Sequence, residues 1–366
     1  MSDAYRHSGV DYDVLDAAKR RALEAVRSSL QAPAARGARV VAESVGEPAQ
    51  LFEVGGVVLA TVLECLGTKS TIAAEVHEQL GEDHWAAIGT DAVAAVVNDL
   101  ACMGALPLSV SAYVATGSAG FYSGSRHASL LEGWRRACEA AGAAFVGGES
   151  PTLAGIVAED GVDLAGSSVG RVPDGALAFL GSRLEPGDEI VLLASGGMHA
   201  NGASLARAVA ASLPAGWATP LGDGRRLGAA VLEPSVLYVG VVEACQTGSL
   251  SGAVHYASHL TGHGLRKLMR ADRELTYRVG ELQPVPEVLS FLARAAGLSP
   301  AEAYGTFNMG SGFALFAGAG RGGEVARLAE HLGCPAVVAG VVEGGPRRVV
   351  LEPLGVSYGA DELDLR

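Results

Sequence analysis

The sequence predicts an α/β protein of the α+β kind, built as two domains. Three observations lead there. The 366-residue length exceeds what one hydrophobic core ordinarily supports. Apolar runs of strand length, VVLATVLEC (57–65), LPLSVSAYVATG (106–117) and VDLAGSSVG (162–170), alternate with helix-like segments, DAVAAVVNDLACMG (91–104) and SLLEGWRRACEAAG (129–142). Then Pro173, Asp174, Gly175, Pro186 and Gly187 cluster ahead of the strand-like EIVLLASG, the composition of a break between units. The boundary falls at that break, giving domains 1–172 and 173–366.

The remaining elements follow in order. Leu15, Ala18, Ala22 and Val26 recur at helical spacing and make 13–30 an amphipathic helix. Beyond the break, the pattern gives a strand at 189–194, a helix after Asn201, helical segments around 226–245 and 284–296, and strands at GFALFAG and AVVAGVVEGGPRRVVLEP.

Composition narrows the function classes. Hydrophobic residues make up 49% of the chain, aromatics only 5%, and glycine numbers 50, a mix suited to tight packing with close-approach loops. A formal charge of -13 opposes a nucleic-acid backbone, and no basic run with interleaved aromatics offsets it. Phosphorylated small molecules are still accessible, because a divalent cation reverses the local sign. Five scattered cysteines without C-x-x-C spacing fit neither a disulfide framework nor a zinc site and point to a reducing compartment. The polar start and the absence of an apolar stretch of about 18 residues argue against secretion and membrane insertion, so a soluble, cytoplasmic protein is expected.

Asp91, Asn98 and Asp99 lie seven and eight residues apart, about two helical turns, so one helix face presents oxygens. That face suits a hard cation, or it is an ordinary cap and polar surface. Ser195-Gly196-Gly197, Gly262-His263-Gly264 and Gly310-Ser311-Gly312 each abut an element end, where backbone N–H groups can face an anion or simply close a turn. His199 and His259 lie at loop mouths, positions open to acid–base work as well as to a structural hydrogen bond.

The segment from Asp99 to Pro107 has the spacing D-x4-G-A-x-P through Gly104 and Ala105. It resembles the signature of the aminoimidazole ribonucleotide synthetase superfamily. Further matches to the synthetase family itself run in order: Gly9-Val10-Asp11, Gly67-Thr68-Lys69, Ala115-Thr116-Gly117, Val146-Gly147-Gly148-Glu149, His199-Ala200-Asn201-Gly202, His259-Leu260-Thr261-Gly262 and Thr306-Phe307-Asn308. Collinear matches over nearly the whole chain are far more specific than any one of them.

The resemblance implies a fold with a dimeric N-terminal β-barrel flanked by helices and a C-terminal α/β sandwich, with an active site shared between two chains. It implies ATP and magnesium as cofactors and a small ribonucleotide as substrate: closure of formylglycinamidine ribonucleotide to aminoimidazole ribonucleotide, with ADP and phosphate released. By the same resemblance Asp91, Asp99 and Glu149 are the metal ligands. Glu64, Gly67, Thr68, Lys69, Asn98 and Gly148 lie at the nucleotide. Gly196, Gly197, Asn201, Thr261, Gly262, Thr306, Asn308 and Gly310 lie at the substrate. His199, His259, Lys69 and Asp99 carry the catalysis.

The chain departs from the family pattern in places. Glu64-Cys65-Leu66 stands where the family usually has Asp-Gly-Val, residues 45–56 lack the usual Gly-Gly-Phe-Gly loop, and His263 replaces a common glycine. These departures keep two alternatives in view: a paralogue phosphorylating another ribonucleotide-like substrate, and a silent nucleotide-binding module. The superfamily's selenophosphate synthetases, hydrogenase maturation proteins and thiamine monophosphate kinases fit less well. The chain has no cysteine before Cys65, ends DELDLR and lacks a paired Asp-Asp at 64–65.

Overall fold

The computed structural model describes residues 12–363. A helix, α1 (Tyr12–Ser29), leads into a six-stranded sheet of β1 (Ala38–Val40), β2 (Gln50–Val54), β3 (Val57–Cys65), β4 (Leu106–Thr116), β5 (Ala144–Glu149) and β6 (Val162–Arg171). Its order is β1-β2-β3-β6-β4-β5, antiparallel except for β4 with β5. The sheet is open, with β1 and β5 at its edges, so among the described residues no barrel closes within one chain. Helices α2 (Lys69–Leu80), α3 (Trp85–Ala101) and α4 (Ser125–Ala140) complete this half.

Strand alternation decides which face the helices cover. Along β6, Val162, Leu164, Gly166, Ser168 and Gly170 are buried, whereas Asp163 and Val169 are exposed, the period of two expected of a sheet covered on one side. The buried face packs on Val96, Val97 and Leu100 of α3 and on Leu130 and Trp134 of α4. Those two helices approach backbone to backbone. A Cβ on Gly89 would meet the Leu130 carbonyl at 2.3 Å, and one on Gly133 the Ala86 carbonyl at 1.9 Å. Pro107, which cannot donate to the ladder, sits where the β4–β6 register shifts between Pro107 and Ser109.

The second sheet contains β7 (Glu189–Ala194), β8 (Val254–His259), β9 (Leu275–Val279), β10 (Ser311–Ala317), β11 (Ala336–Gly344), β12 (Arg348–Leu351) and β13 (Val356–Gly359). Its order, β13-β12-β9-β11-β7-β10-β8, buries β10 along its whole length, which explains the uninterrupted run Phe313–Ala317. Around it lie α5 (Ala203–Ser212), α6 (Leu227–Val231), α7 (Val239–Thr247), α8 (Glu287–Ala295), α9 (Pro300–Tyr304) and α10 (Gly322–His331). Of these, α7 packs on α3 and β4 and so joins the halves, while α10 covers β11 and β7.

Several expectations need correction. The segment 226–245 is two helices with an irregular stretch between them, and AVVAGVVEGGPRRVVLEP is two strands turning at 345–347. Helix α1 forms, but Ala18, Ala22 and Val26, expected on its apolar face, are exposed in the single chain. Gly9-Val10-Asp11 lies outside the described residues. Among the described residues no helix is long and apolar enough to cross a membrane.

The α3–α4 contact leaves no room for a methyl. Gly133→Ala is expected to destabilise the chain by about 1–3 kcal/mol, the usual cost of overpacking. Chemical denaturation measures it, and a midpoint equal to the parent's would show that the helices separate freely.

Candidate active site

The two halves meet along α3. Lys69, the first residue of α2, is fully buried, and its Nζ lies 2.7 Å from Asp91 Oδ2. The same Nζ donates to the Glu233 carbonyl at 3.0 Å. Asp91 Oδ1 accepts from the Ser235 N–H at 2.8 Å and from Ser235 Oγ at 2.6 Å. Two turns along, Asn98 donates to the Val236 carbonyl and accepts from the Tyr238 N–H, both at 2.9 Å. The oxygen-bearing face expected of this helix is therefore present, but Asp91 and Asn98 spend it on the irregular segment 233–238 of the second half.

Beside this seam lies a cavity of about 570 Å³. Its lining includes Glu64, Gly67, Thr68, Asp91, Asp99, His199, Asn201, His259 and Thr261, which the sequence singles out, and Glu47, Ser204, Ser235, Lys267 and Arg270, which it does not. Thr68 Oγ1 lies 3.3 Å from Ser204 Oγ, so the 67–69 loop of the first half touches the start of α5.

Asp99 and His259 form the most chemically informative contact. Asp99 Oδ1 and His259 Nδ1 are 2.8 Å apart, with both side chains largely buried. An ionised carboxylate can only accept, so Nδ1 faces Asp99 as the donor, and in the neutral form of the ring the lone pair lies on Nε2.

His199 is the opposite case. It sits in left-handed backbone at φ 59°, 3% exposed, and its Nε2 accepts weakly from the Val236 N–H at 3.5 Å. That bond puts the ring proton on Nδ1, which is buried without a hydrogen-bond partner among the described residues. Burial, reinforced by His259 and Lys69 nearby, pushes its pKa down to about 3, so the ring is neutral at physiological pH. Gly312 makes room for it: a Cβ there would meet His199 Cε1 at 2.7 Å and Tyr238 Oη at 1.9 Å.

Other singled-out residues stand outside the cavity lining. Asn308 accepts from Ser195 Oγ at 2.8 Å and from the Gly310 N–H at 3.0 Å, and donates to the Gly197 carbonyl at 2.9 Å. It ties together the turns holding Gly196, Gly197 and Gly310. Gly262 and Thr306 also lie outside the lining, and Gly148 and Glu149 are exposed on edge strand β5.

Asp91, Asp99 and Glu149 are consequently not gathered into one ligand set: Asp91 holds Lys69 and Ser235, Asp99 holds His259, and Glu149 is at the sheet edge. A dedicated three-carboxylate centre does not fit. A magnesium ion held by one or two cavity carboxylates and by nucleotide phosphates does fit the hard-oxygen donors present. The described side chains that do group within 4.8 Å are Glu185, Asp188 and His255, away from the cavity, where His255 Nδ1 and the Glu185 N–H lie at 3.0 and 3.1 Å from the buried Asp188 carboxylate.

Residues 46–172 match the family described as "AIR synthase related protein, N-terminal domain", and residues 185–352 match "AIR synthase related protein, C-terminal domain". The chain belongs to the AIR synthase family. It is 33% identical over 330 residues to a phosphoribosylformylglycinamidine cyclo-ligase of Shouchella clausii (strain KSM-K16), covering 86% of this chain and 88% of the relative. Its fold is shared with AaThiL complexed with AMPPCP and TMP, at TM-score 0.58 and 16% identity over 87% of this chain and 91% of the other. The hydrogenase maturation protein HypE in complex with ATP gives 0.57 and 20% over 82% and 83%. The shared fold does not by itself fix a function, which is argued from the site.

Removing one partner of the buried Lys69–Asp91 pair strands a charge. Lys69→Met is expected to cost about 3–5 kcal/mol of stability by urea titration. A loss below about 1 kcal/mol would show that Ser235 alone satisfies Asp91.

Proposed function

We propose that the chain is an ATP-dependent cyclo-ligase that closes formylglycinamidine ribonucleotide to aminoimidazole ribonucleotide in purine biosynthesis. The observation carrying this reading is the Asp99–His259 pair opening onto a cavity at the domain seam, in a chain 33% identical to a cyclo-ligase.

The chemistry has two stages. The formyl oxygen attacks the γ-phosphorus of ATP, forming an O–P bond as the bridging bond to ADP breaks. The amidine nitrogen then attacks the same carbon, and the C–O bond breaks to release phosphate. The neutral Nδ1–H of His199 suits donation to the phosphorylated oxygen as its bond to carbon breaks, without adding charge. His259 Nε2 suits removal of the amidine proton, with Asp99 holding the tautomer and stabilising the imidazolium. Holding nitrogen and carbon in one cavity makes closure an intramolecular step. Magnesium would neutralise phosphate charge, and of the cavity carboxylates Glu64 and Asp99 would hold it. Gly67 and Thr68 belong to the nucleotide side, and Asn201 and Thr261 to the substrate side.

The reading extends to assembly. Residues 1–172 act as the ATP-binding and dimerisation domain and 173–366 as the synthetase-like domain. Leu63, 73% exposed, and Val169 lie on the uncovered face of the first sheet. Pairing two such faces closes a barrel and brings Glu149 and Gly148 toward a partner's cavity, giving a homodimer with shared sites in the cytoplasm. The altered Glu64-Cys65 loop favours, as a second reading, a paralogue acting on another ribonucleotide-like substrate.

Purified protein with magnesium-ATP and formylglycinamidine ribonucleotide is expected to yield ADP and a diazotisable aminoimidazole. ADP formation without that product selects the paralogue, and nucleotide binding without turnover selects a silent module. His259→Ala is expected to lower kcat about 10²–10⁴-fold with nucleotide affinity retained. Asp99→Asn should lose turnover while melting near the parent temperature; a large drop in melting temperature with activity per folded molecule intact would make Asp99 structural.

A further inference from the structure

Lys267 and Arg270 line the cavity, yet the chemistry above leaves both unused. They belong to the short helical segment Gly264–Met269 and its cap. The Lys267 ammonium donates to Thr261 Oγ1, and the Thr261 N–H donates to the His259 carbonyl at 3.0 Å, so the cation stands beside the Asp99–His259 pair. Among the described residues its hydrogen-bond partner is this neutral hydroxyl, with no carboxylate in ion-pair contact. Arg270 donates from Nη2 to the Gly46 carbonyl at 2.9 Å, and its Nε lies 3.5 Å from Glu47 Oε2, an oxygen already accepting from Tyr256 Oη.

The carboxylate that meets Arg270 thus also serves a tyrosine, and Lys267 feels Asp99 and Glu64 without an ion-pair contact to either among the described residues. Withdrawal from water and the neighbouring guanidinium push the Lys267 pKa down to about 8, against the pull of Asp99, Glu64 and Cys102. Like charges held together in a cavity wall are relieved when an anion enters, and a forked guanidinium beside a compact ammonium matches tetrahedral oxyanions.

We propose that Lys267 and Arg270, with the Thr261 hydroxyl, form a subsite for a phosphate-type oxyanion in the cavity wall beside His259. The proposal rests on the cyclo-ligase reading only for the source of the oxyanion: the phosphomonoester of a ribonucleotide acceptor, with the nucleotide's own phosphates as the competing source.

The test titrates the full chain calorimetrically with ribose 5-phosphate, with ribose and with magnesium-AMPPNP, using the parent, Lys267→Met, Lys267→Arg and Arg270→Gln. Ribose 5-phosphate is expected to bind and ribose not. Lys267→Met and Arg270→Gln should each weaken ribose 5-phosphate about tenfold or more, the scale of one charge-assisted contact, while AMPPNP affinity stays within about twofold. Lys267→Arg, which keeps the charge and guards against a misfolded variant, should recover most of the loss. If AMPPNP affinity falls instead, the subsite stands and belongs to the nucleotide. If both probes bind every variant as they bind the parent, or neither binds the parent, the subsite is refuted. Intact ribose 5-phosphate binding with no cyclised product would remove the cyclo-ligase reading and leave the subsite in place.

Discussion

The buried ion pair of Lys69 and Asp91 is the constraint on which the rest depends. A lysine and an aspartate with no exposed side-chain surface are tolerated only when every contact is met, and here the further partners of this first-half pair come from the second half: the Glu233 carbonyl and the Ser235 N–H and hydroxyl. Meeting them fixes the segment 233–238 against α3. Asn98 repeats the arrangement two turns later. The seam is therefore polar, specific in register and continuous with the cavity wall.

That register places one helix in two roles. Asp91 and Asn98 hold the segment 233–238, whereas Asp99, one position on from Asn98, meets His259 from β8 at the cavity. The two histidines are then separated by environment. His259 has a carboxylate to stabilise its cationic form, while His199 is kept neutral by burial near two other basic groups. Groups of one type driven apart in this way are suited to take a proton in one place and donate a hydrogen bond in another.

How legible was this in the sequence? Strands 57–65, 106–116, 162–171 and 189–194 stand out because their apolar runs are long and bounded by turn residues. Strand β5, Ala-Phe-Val-Gly-Gly-Glu, is an exposed, glycine-rich edge whose pairing comes from β4 and not from its own composition. Strand β8 carries two histidines and no apolar run, because His259 lines the cavity and His255 meets the buried Asp188. The cavity residues Asp99, His199, His259 and Thr261 were visible through motif spacing. Lys267 and Arg270 were not: a basic Arg-Lys-Leu-Met-Arg stretch reads as solvated surface until the neighbouring turn folds it inward. Asp91 and Asn98 were visible as a polar face, but which partner claims that face is a tertiary fact, set by a segment about 140 residues away.

The departures at Glu64 and Cys65 lie on the cavity rim and leave the seam and the Asp99–His259 pair untouched. The central chemical claim is that a carbonyl-type oxygen is phosphorylated so that it can leave from the carbon under attack. Turnover of formylglycinamidine ribonucleotide carrying ¹⁸O in its formyl group tests it most directly. The mechanism requires the label to appear in the inorganic phosphate released; unlabelled phosphate, with the ¹⁸O retained in the organic product or lost to water, would contradict it.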